Sequence, residues 1–110
     1  MIYDIRIMKQ AQNDIREIYR YIAEDLQNPD AATRRIMLIN EKIQSLKDNP
    51  ARFPLVQDDY LASKGLRLIV IKTHLVFFII RQKEQAVSVM RILYGRRDWL
   101  HLLRIQAALL

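Results

Sequence analysis

Two segments in the first half of the chain place apolar residues at the spacing of an amphipathic α-helix. The first runs from Gln10 to about Leu26, and its apolar positions are Ala11, Ile15, Ile18, Ile22 and Leu26. The second runs to about Lys47, with an apolar stripe formed by Ile36, Ile39, Ile43 and Leu46. Asn28 is a favourable N-cap and Pro29 suits a first helical position, so the second helix should begin there. The short break between the segments predicts an antiparallel helical hairpin.

Strand patterns stand on both sides of this hairpin. Residues 2–8 alternate as in a short β-strand. After an irregular segment at 49–64, three more strand patterns follow: Leu66–Ile71, Leu75–Arg81 and Ala86–Tyr94. Residues 72–74 should reverse the chain between the first two. The order β-α-α-β-β-β predicts an α+β fold in which the helical hairpin packs on an antiparallel sheet.

The C-terminal region should form one more short helix. Asp98 is its candidate N-cap, and Trp99, Leu102 and Leu103 would share its apolar face. The length of 110 residues fits a single domain over residues 1–110. The apolar tail at 105–110 lacks a helix stop signal, which leaves two interpretations open, a loose tail or a segment that docks on a partner.

The positive charge belongs to the second half of the chain. Residues 1–50 carry eight basic and eight acidic side chains, whereas residues 51–110 carry ten basic and four acidic ones. The formal net charge of +6 is therefore confined to the second half. A basic field on part of a domain points to a polyanion or an acidic partner, and the plainer interpretation is a solvated surface that keeps a small protein in solution.

The composition excludes several kinds of chemistry. The absence of cysteine excludes disulfides, thiol nucleophiles and thiolate metal sites, and it fits a reducing, cytoplasmic setting. Two histidines are too few for a metal site, and no phosphate-binding loop, dinucleotide fingerprint or zinc-protease motif is present, so we expect no metal and no cofactor. The longest apolar tract, at 66–80, is interrupted by charged and polar residues and should not span a membrane.

Arginines are concentrated around the end of the last predicted strand. Arg91 alternates with apolar strand residues, namely Val87, Val89 and Leu93. A guanidinium on that face needs either a hydrated groove or an acidic partner, for which the candidates are Asp58, Asp59 and Asp98. In the first case four arginines would converge on a phosphate or carboxylate: Arg67, Arg91, Arg96 and Arg97. Trp99 would then stack on a base, or it packs on the core.

The two histidines are candidate acid or base groups. An imidazole titrates near neutral pH, so His74 or His101 could transfer a proton. His74 falls in the predicted reversal and His101 on the exposed side of the last helix. A structural role is the simpler interpretation for each.

In three segments the sequence resembles the RelE/ParE superfamily, the toxins of type II toxin–antitoxin modules. The segments are the strand and helix at 5–22, Gly65-Leu66-Arg67 with the following strand at 74–78, and the stretch at 89–99. The last is the most specific, because it is similar to the strand followed by Gly-Arg-Arg-Asp-Trp that is common in ParE-like toxins. Together the segments cover most of the chain in the family's order.

The resemblance implies one of two activities. RelE-like members are ribosome-dependent mRNA endonucleases, and an enzyme of that kind would act here through His74, Arg97 and Arg67. ParE-like members keep the fold, generally lack the catalytic set and poison DNA gyrase. RNA cleavage needs a base and an acid as well as cations. The region of the RelE-type C-terminal tyrosine reads His101-Leu102-Leu103. The resemblance therefore favours the ParE-like branch.

Both branches imply a cognate antitoxin. An acidic, helical C-terminal segment of that partner would cover the basic second half and become ordered on binding. The residues expected to bind the antitoxin or the target are Arg67, Arg91, Arg96, Arg97, Trp99 and His101.

Overall fold

The structure, a computed structural model, describes residues 2–95 and 98–108. Its first half contains strand β1 (Asp4–Ile7), helix α1 (Lys9–Arg20), a π-helical turn (Tyr21–Asp25) and helix α2 (Pro29–Gln44). Two single 3-10 turns follow (Ser45–Lys47 and Pro50–Arg52), then a short helix α3 (Asp59–Ser63). The second half contains strands β2 (Leu66–Ile71), β3 (His74–Arg81) and β4 (Ala86–Tyr94) and helix α4 (Trp99–Ala107).

The four strands form one mixed sheet in the order β1-β4-β3-β2. Strands β2, β3 and β4 are antiparallel, as predicted, and β1 joins the edge of β4 in parallel. The helical hairpin of α1 and α2 carries the chain from β1 at one edge of the sheet to β2 at the other. The predicted α+β architecture is confirmed.

Each face of the sheet is covered by a separate apolar core. The hairpin packs on one face, where the buried residues include Ala11, Ile39, Ile43, Val76 and Phe78. Helices α3 and α4 close the other face, where the buried residues include Leu61, Phe77, Met90, Leu93 and Leu103. Central strand β3 is apolar along nearly its whole length because its side chains are buried on both faces.

The start of α2 follows the prediction. The Asn28 side chain accepts a hydrogen bond from the Ala31 amide at 3.1 Å, and Pro29 occupies the first helical position. These contacts satisfy an otherwise unpaired amide at the helix N-terminus and preset the backbone for the first turn.

The end of α1 differs from the prediction. Instead of continuing to Leu26, the α-helix ends at Arg20 and is followed by the π-helical turn. A π-helical turn hydrogen-bonds across five residues, so positions beyond it leave the α-helical stripe. Leu26, which the spacing placed on that stripe, is 55% exposed.

Two further local differences lie in the second half. The segment at 49–64 contains α3, whose N-cap Asp58 accepts a hydrogen bond from the Leu61 amide at 3.0 Å. The reversal after β2 involves only Lys72 and Thr73, and β3 begins at His74, which pairs with Ile71. His74 therefore lies in a strand and is buried, and the prediction of a reversal through residue 74 is wrong by one residue.

Candidate functional site

His74 lies on the face of the sheet that α1 and α2 cover, and α2 supplies its hydrogen-bond partner. The Arg35 guanidinium donates from Nη1 to His74 Nδ1 at 2.9 Å and to Thr73 Oγ1 at 3.1 Å. The His74 ring also lies 5.9 Å from the ring of Tyr94, centroid to centroid. One arginine on α2 thus holds both the tip of the β2–β3 hairpin and the imidazole.

The contact with Arg35 fixes the tautomer of His74. A guanidinium can only donate, so Nδ1 must accept and the ring proton resides on Nε2. Burial lowers the pKa of His74 below its ordinary value of 6.5, and the positive charge of Arg35 lowers it further. His74 is therefore a neutral ring that can donate a hydrogen bond from Nε2 but holds no free lone pair for a proton.

Arg91 forms an ion pair with a helix residue that the sequence did not suggest. Its Nε and Nη2 donate to the two carboxylate oxygens of Asp14 on α1, at 2.7 and 2.9 Å. Asp14 also accepts a hydrogen bond from the Ile92 amide at 2.9 Å. Both charged side chains are largely buried, at 14% and 11% exposure. The expected partners Asp58, Asp59 and Asp98 were wrong, and Asp58 instead pairs with Arg104.

A β-bulge lies in β4 next to Arg91. Phe77 of β3 pairs with Arg91, whereas the next residue, Phe78, pairs with Val89, so β4 carries one extra residue at this point. Beyond the bulge the faces are exchanged. Val87 and Val89 belong to the core under the helical hairpin, the side on which Arg91 meets Asp14, whereas Leu93 belongs to the opposite core. The predicted alternation therefore holds as far as Arg91 and fails at Leu93.

Arg67 is also occupied by a structural contact. Its Nη1 donates to the backbone carbonyls of Phe53 at 2.7 Å and Ala51 at 3.3 Å. These bonds fasten the segment before α3 to the start of β2. Arg67 and Arg91 therefore have separate partners and do not share an anion-binding groove. Arg96 and Arg97, the other two arginines of the predicted cluster, lie outside the described residues.

The two remaining predicted site residues lie on α4. The Trp99 ring packs against Phe77 at 5.2 Å between centroids, as part of the core on that side of the sheet. Of the two interpretations of Trp99, stacking on a base and packing on the core, the structure shows packing on the core. His101 is exposed on the outer side of the same helix.

A cleft of about 670 Å³ opens between the π-helical turn and the adjoining ends of β3 and β4. Apolar residues form much of its lining: Ile18, Ile22, Leu26, Ile92 and Leu93. Two exposed tyrosines, Tyr21 and Tyr94, also line it, as do His74 of β3 and its partner Arg35 of α2. The cleft thus combines an apolar interior with a hydrogen-bonding wall, which is the composition of a binding site.

Within residues 2–95 and 98–108, no group of three histidine, aspartate or glutamate side chains is arranged to hold a metal ion. None of the helices in that part of the chain has the length and apolar character needed to cross a membrane.

A family model described as "ParE toxin of type II toxin-antitoxin system, parDE" matches residues 5–99. The chain belongs to this ParE toxin family. The match includes the strand and helix at the start, the β-hairpin, and the segment after β4 that carried the resemblance in the sequence. No curated protein sequence matches the chain.

Solved structures share the fold of this ParE-family chain at low identity. The chromosomal ParDE system from P. aeruginosa has a TM-score of 0.70 at 15% identity, covering 84% of this chain and 96% of that one. The toxin–antitoxin complex RelBE2 from Mycobacterium tuberculosis has a TM-score of 0.64 at 16% identity, covering 86% and 92%. A variant of E. coli RelE in the free state has a TM-score of 0.60 at 11% identity, covering 96% and 97%.

Sequence reasoning missed four residues that shape the cleft of this ParE-family toxin: Asp14, Tyr21, Arg35 and Tyr94. Tyr21 and Arg35 lie at polar or mixed positions of the predicted helices, and Tyr94 lies at a strand end. A side chain at such positions is normally solvated. The sequence gives a signal only for Asp14. It lies three residues after Ala11 and four before Ile18, and this spacing places it on the apolar stripe of α1.

Proposed function

We propose that this ParE-family toxin inhibits DNA gyrase by binding and has no chemistry of its own. The observation that supports this most directly is the Arg35–His74 contact. It occupies the one lone pair of the neutral imidazole, so His74 lacks the free basic nitrogen that would accept a 2′-hydroxyl proton.

The arginines support the same proposal. The charge of Arg91 is paired with Asp14, and Nη1 of Arg67 is bound to two backbone carbonyls, so Arg91 is not available to a scissile phosphate and Arg67 already holds the backbone. If Arg67 acted in catalysis with His74 and Arg97, its hydrogen bonds to two backbone carbonyls would have to break. The hydrogen bond from Arg35 to His74 would have to break as well. Inhibition by binding needs neither rearrangement.

The alternative is a RelE-like, ribosome-dependent mRNA endonuclease. One observation favours it, namely that His74, Thr73 and Tyr94 come together at one end of the sheet beside a cleft. In that case the ribosome or mRNA would displace Arg35 from His74 Nδ1 and free a general base. The two activities share the fold, and an assay must separate them.

The proposal includes an antitoxin partner. Two of the structures with this fold are toxin–antitoxin complexes, and a third is an archaeal RelE–RelB complex from Pyrococcus horikoshii at a TM-score of 0.53 and 16% identity. An acidic helical segment of the antitoxin would cover basic side chains of the second half, among them the exposed Lys72 and Lys83. Residues 1–110 would act as one toxin domain, and gyrase and the ribosome are both cytoplasmic targets.

Two parallel assays test the proposal. Purified toxin is added to gyrase with supercoiled plasmid, and separately to translating ribosomes. We expect gyrase-dependent cleavage complexes and intact mRNA. Codon-phased mRNA cuts without gyrase cleavage complexes would contradict the proposal, and the His74→Ala variant, with His101→Ala as control, would then show whether His74 carries the cutting.

A further inference from the structure

Helix α2 carries a second row of side chains at the spacing by which helices pack on one another. Its inner row includes Ile39 and Ile43, which are buried in the core under the hairpin. The outer row occupies positions i, i+3, i+4 and i+7 of the same helix and consists of Arg34, Met37, Leu38 and Glu41. A sheet-facing row needs no such counterpart on its solvent side, so the outer row is a candidate packing surface.

The centre of the outer row is apolar and accessible. Met37 is 66% exposed, and Leu38 next to it is half-buried. The four residues of the row, together with Asn40, line a depression of about 430 Å³ in the surface of α2. An exposed apolar side chain beside a depression can insert into the same depression of a second copy.

The two ends of the outer row carry opposite charges. Arg34 lies three positions before Met37, and Glu41 lies three positions after Leu38. Within residues 2–95 and 98–108, neither Arg34 nor Glu41 takes part in an ion pair. Two such rows laid antiparallel would place each arginine against the glutamate of the other copy, whereas parallel rows would oppose like charges. A partner of another sequence would need no such symmetry in the row.

The distribution of charge along the chain favours a contact between two copies at this place. Residues 1–50, which include α2, carry eight basic and eight acidic side chains, and the excess of six positive charges belongs to residues 51–110. Two copies that meet through α2 therefore bring together the parts of the chain that have no excess charge. A contact between the second halves would oppose two strongly basic regions.

We propose that the outer row of α2 is a self-association surface through which two copies of this chain form an antiparallel, two-fold symmetric dimer. Arg34 of each copy pairs with Glu41 of the other, around a centre formed by Met37 and Leu38. One helix from each copy makes a small interface, so the dimer is weak and forms at micromolar or higher concentrations. The inference goes beyond the proposed inhibition of gyrase and does not depend on it.

Charge reversal tests the paired contact, with sedimentation velocity of the purified toxin as the measurement. Glu41→Arg opposes arginines at both ends of the row, and Arg34→Glu opposes carboxylates. Each variant should therefore self-associate at least about tenfold more weakly than the parent. The first raises the net charge and the second lowers it, so a general charge effect would move them in opposite directions. Lys83→Glu, an exposed reversal in the turn between β3 and β4, should change the dissociation constant by less than about twofold.

A mixture of the two single variants provides the decisive measurement. In a mixed dimer the original Arg34–Glu41 pair forms once, and the two introduced side chains form the reversed pair. An equimolar mixture of Glu41→Arg and Arg34→Glu should therefore associate within about threefold of the parent toxin, although neither variant does so alone. A mixture that associates no better than its components would overturn the proposal. A parent toxin that remains monomeric up to about 1 mM would overturn it as well.

The absence of cysteine allows an independent measurement by cross-linking. Met37→Cys introduces one thiol at the centre of the proposed dimer, and Lys83→Cys introduces one at an exposed site away from it. Both positions are exposed, so both variants should keep the melting temperature of the parent. A short bifunctional maleimide should produce covalent dimers several-fold faster from Met37→Cys than from Lys83→Cys. Equal rates for the two variants would overturn the proposed interface.

Discussion

At the residue scale, Asp14 is a charged group held in the interior, with a side chain that is only 11% exposed. It accepts three hydrogen bonds, two from Arg91 and one from the Ile92 amide, and so joins α1 to β4 beside the bulge. A carboxylate at 11% exposure tolerates this position because every bond it receives comes from a fixed donor.

Replacing Asp14 should therefore be costly. Asp14→Ala leaves the Arg91 guanidinium largely buried without its counter-ion, and breaking such a pair typically costs about 3–5 kcal/mol. Asp4→Ala, an exposed aspartate on β1, should cost less than about 0.5 kcal/mol. Urea unfolding of both variants measures the difference. If Asp14→Ala were no less stable than Asp4→Ala, the ion pair would have no net stabilising role.

His74 should make stability depend on pH below about 7, because its pKa is lower in the folded than in the unfolded chain. Burial and Arg35 lower its pKa in the folded state, while the unfolded chain titrates near 6.5. As the pH falls through 6.5 the unfolded chain takes up a proton that the folded chain does not, so the free energy of unfolding falls by at most about 1.4 kcal/mol per pH unit. The free energy of unfolding stops falling once the pH is below the pKa of His74 in the folded state.

Substitution identifies the group responsible for that pH dependence. His74→Gln should remove the slope between pH 7 and 5, and His101→Gln, at an exposed position, should keep it. The carboxyls of Asp58 and Glu84 do not interfere, because hydrogen bonds from Arg104 and Arg6 lower their pKa values further below this window. A slope that survives in His74→Gln would assign the titration to another group.

At the element scale, the N-terminus of α2 sets the entry of the second hairpin helix. Asn28→Ala removes the acceptor for the Ala31 amide and should destabilise the protein by about 1 kcal/mol. Asn28→Ser should recover most of that loss, because a serine hydroxyl can also cap the helix. Asn40→Ala, an exposed asparagine within α2, is the control in thermal melts. Equal melting temperatures for Asn28→Ala and Asn40→Ala would contradict a capping role.

The elements show where sequence patterns succeed. The apolar spacing predicted the packed side of α2 and of the 3-10 turn after it, since Ile39, Ile43 and Leu46 are buried and Ile36 is half-buried. Asn28-Pro29 located the start of the helix. Short-range rules are enough there, because a long amphipathic helix repeats its pattern over several turns. Helix α3 has five residues, which is too short for any period to appear.

The patterns fail where pairing over long distances decides the structure. The bulge that places Leu93 on the opposite face from Val89 depends on the register between β3 and β4, which no local pattern records. The Arg35–His74 contact joins residues 39 positions apart, and an arginine on a helix is normally solvated. The π-helical turn also escapes detection, because it replaces one turn within an apparently regular stripe.

At the scale of the whole molecule, the sheet separates two cores that are closed by different parts of the chain. The first half supplies the hairpin over one face, and α3 with α4 supplies the cover over the other. The half of the chain that contains the helical hairpin has equal numbers of basic and acidic side chains, whereas residues 51–110 carry ten basic and four acidic ones. The net charge of +6 therefore comes from the half of the chain that supplies β2, β3, β4 and the cover of the second core.

Helix α4 should be required to close the second core. Leu103 is 2% exposed and packs in the same cluster as Phe77 and Leu93, so Leu103→Ala opens a cavity there and should cost about 2–5 kcal/mol. Leu100→Ala, at an exposed position on the same helix, removes as many atoms and should cost less than about 1 kcal/mol. Chemical unfolding measures both losses, and binding of a hydrophobic dye should increase only for Leu103→Ala. Equal losses for the two variants would mean that α4 does not pack on the sheet in solution, and the second core would then lie open to solvent.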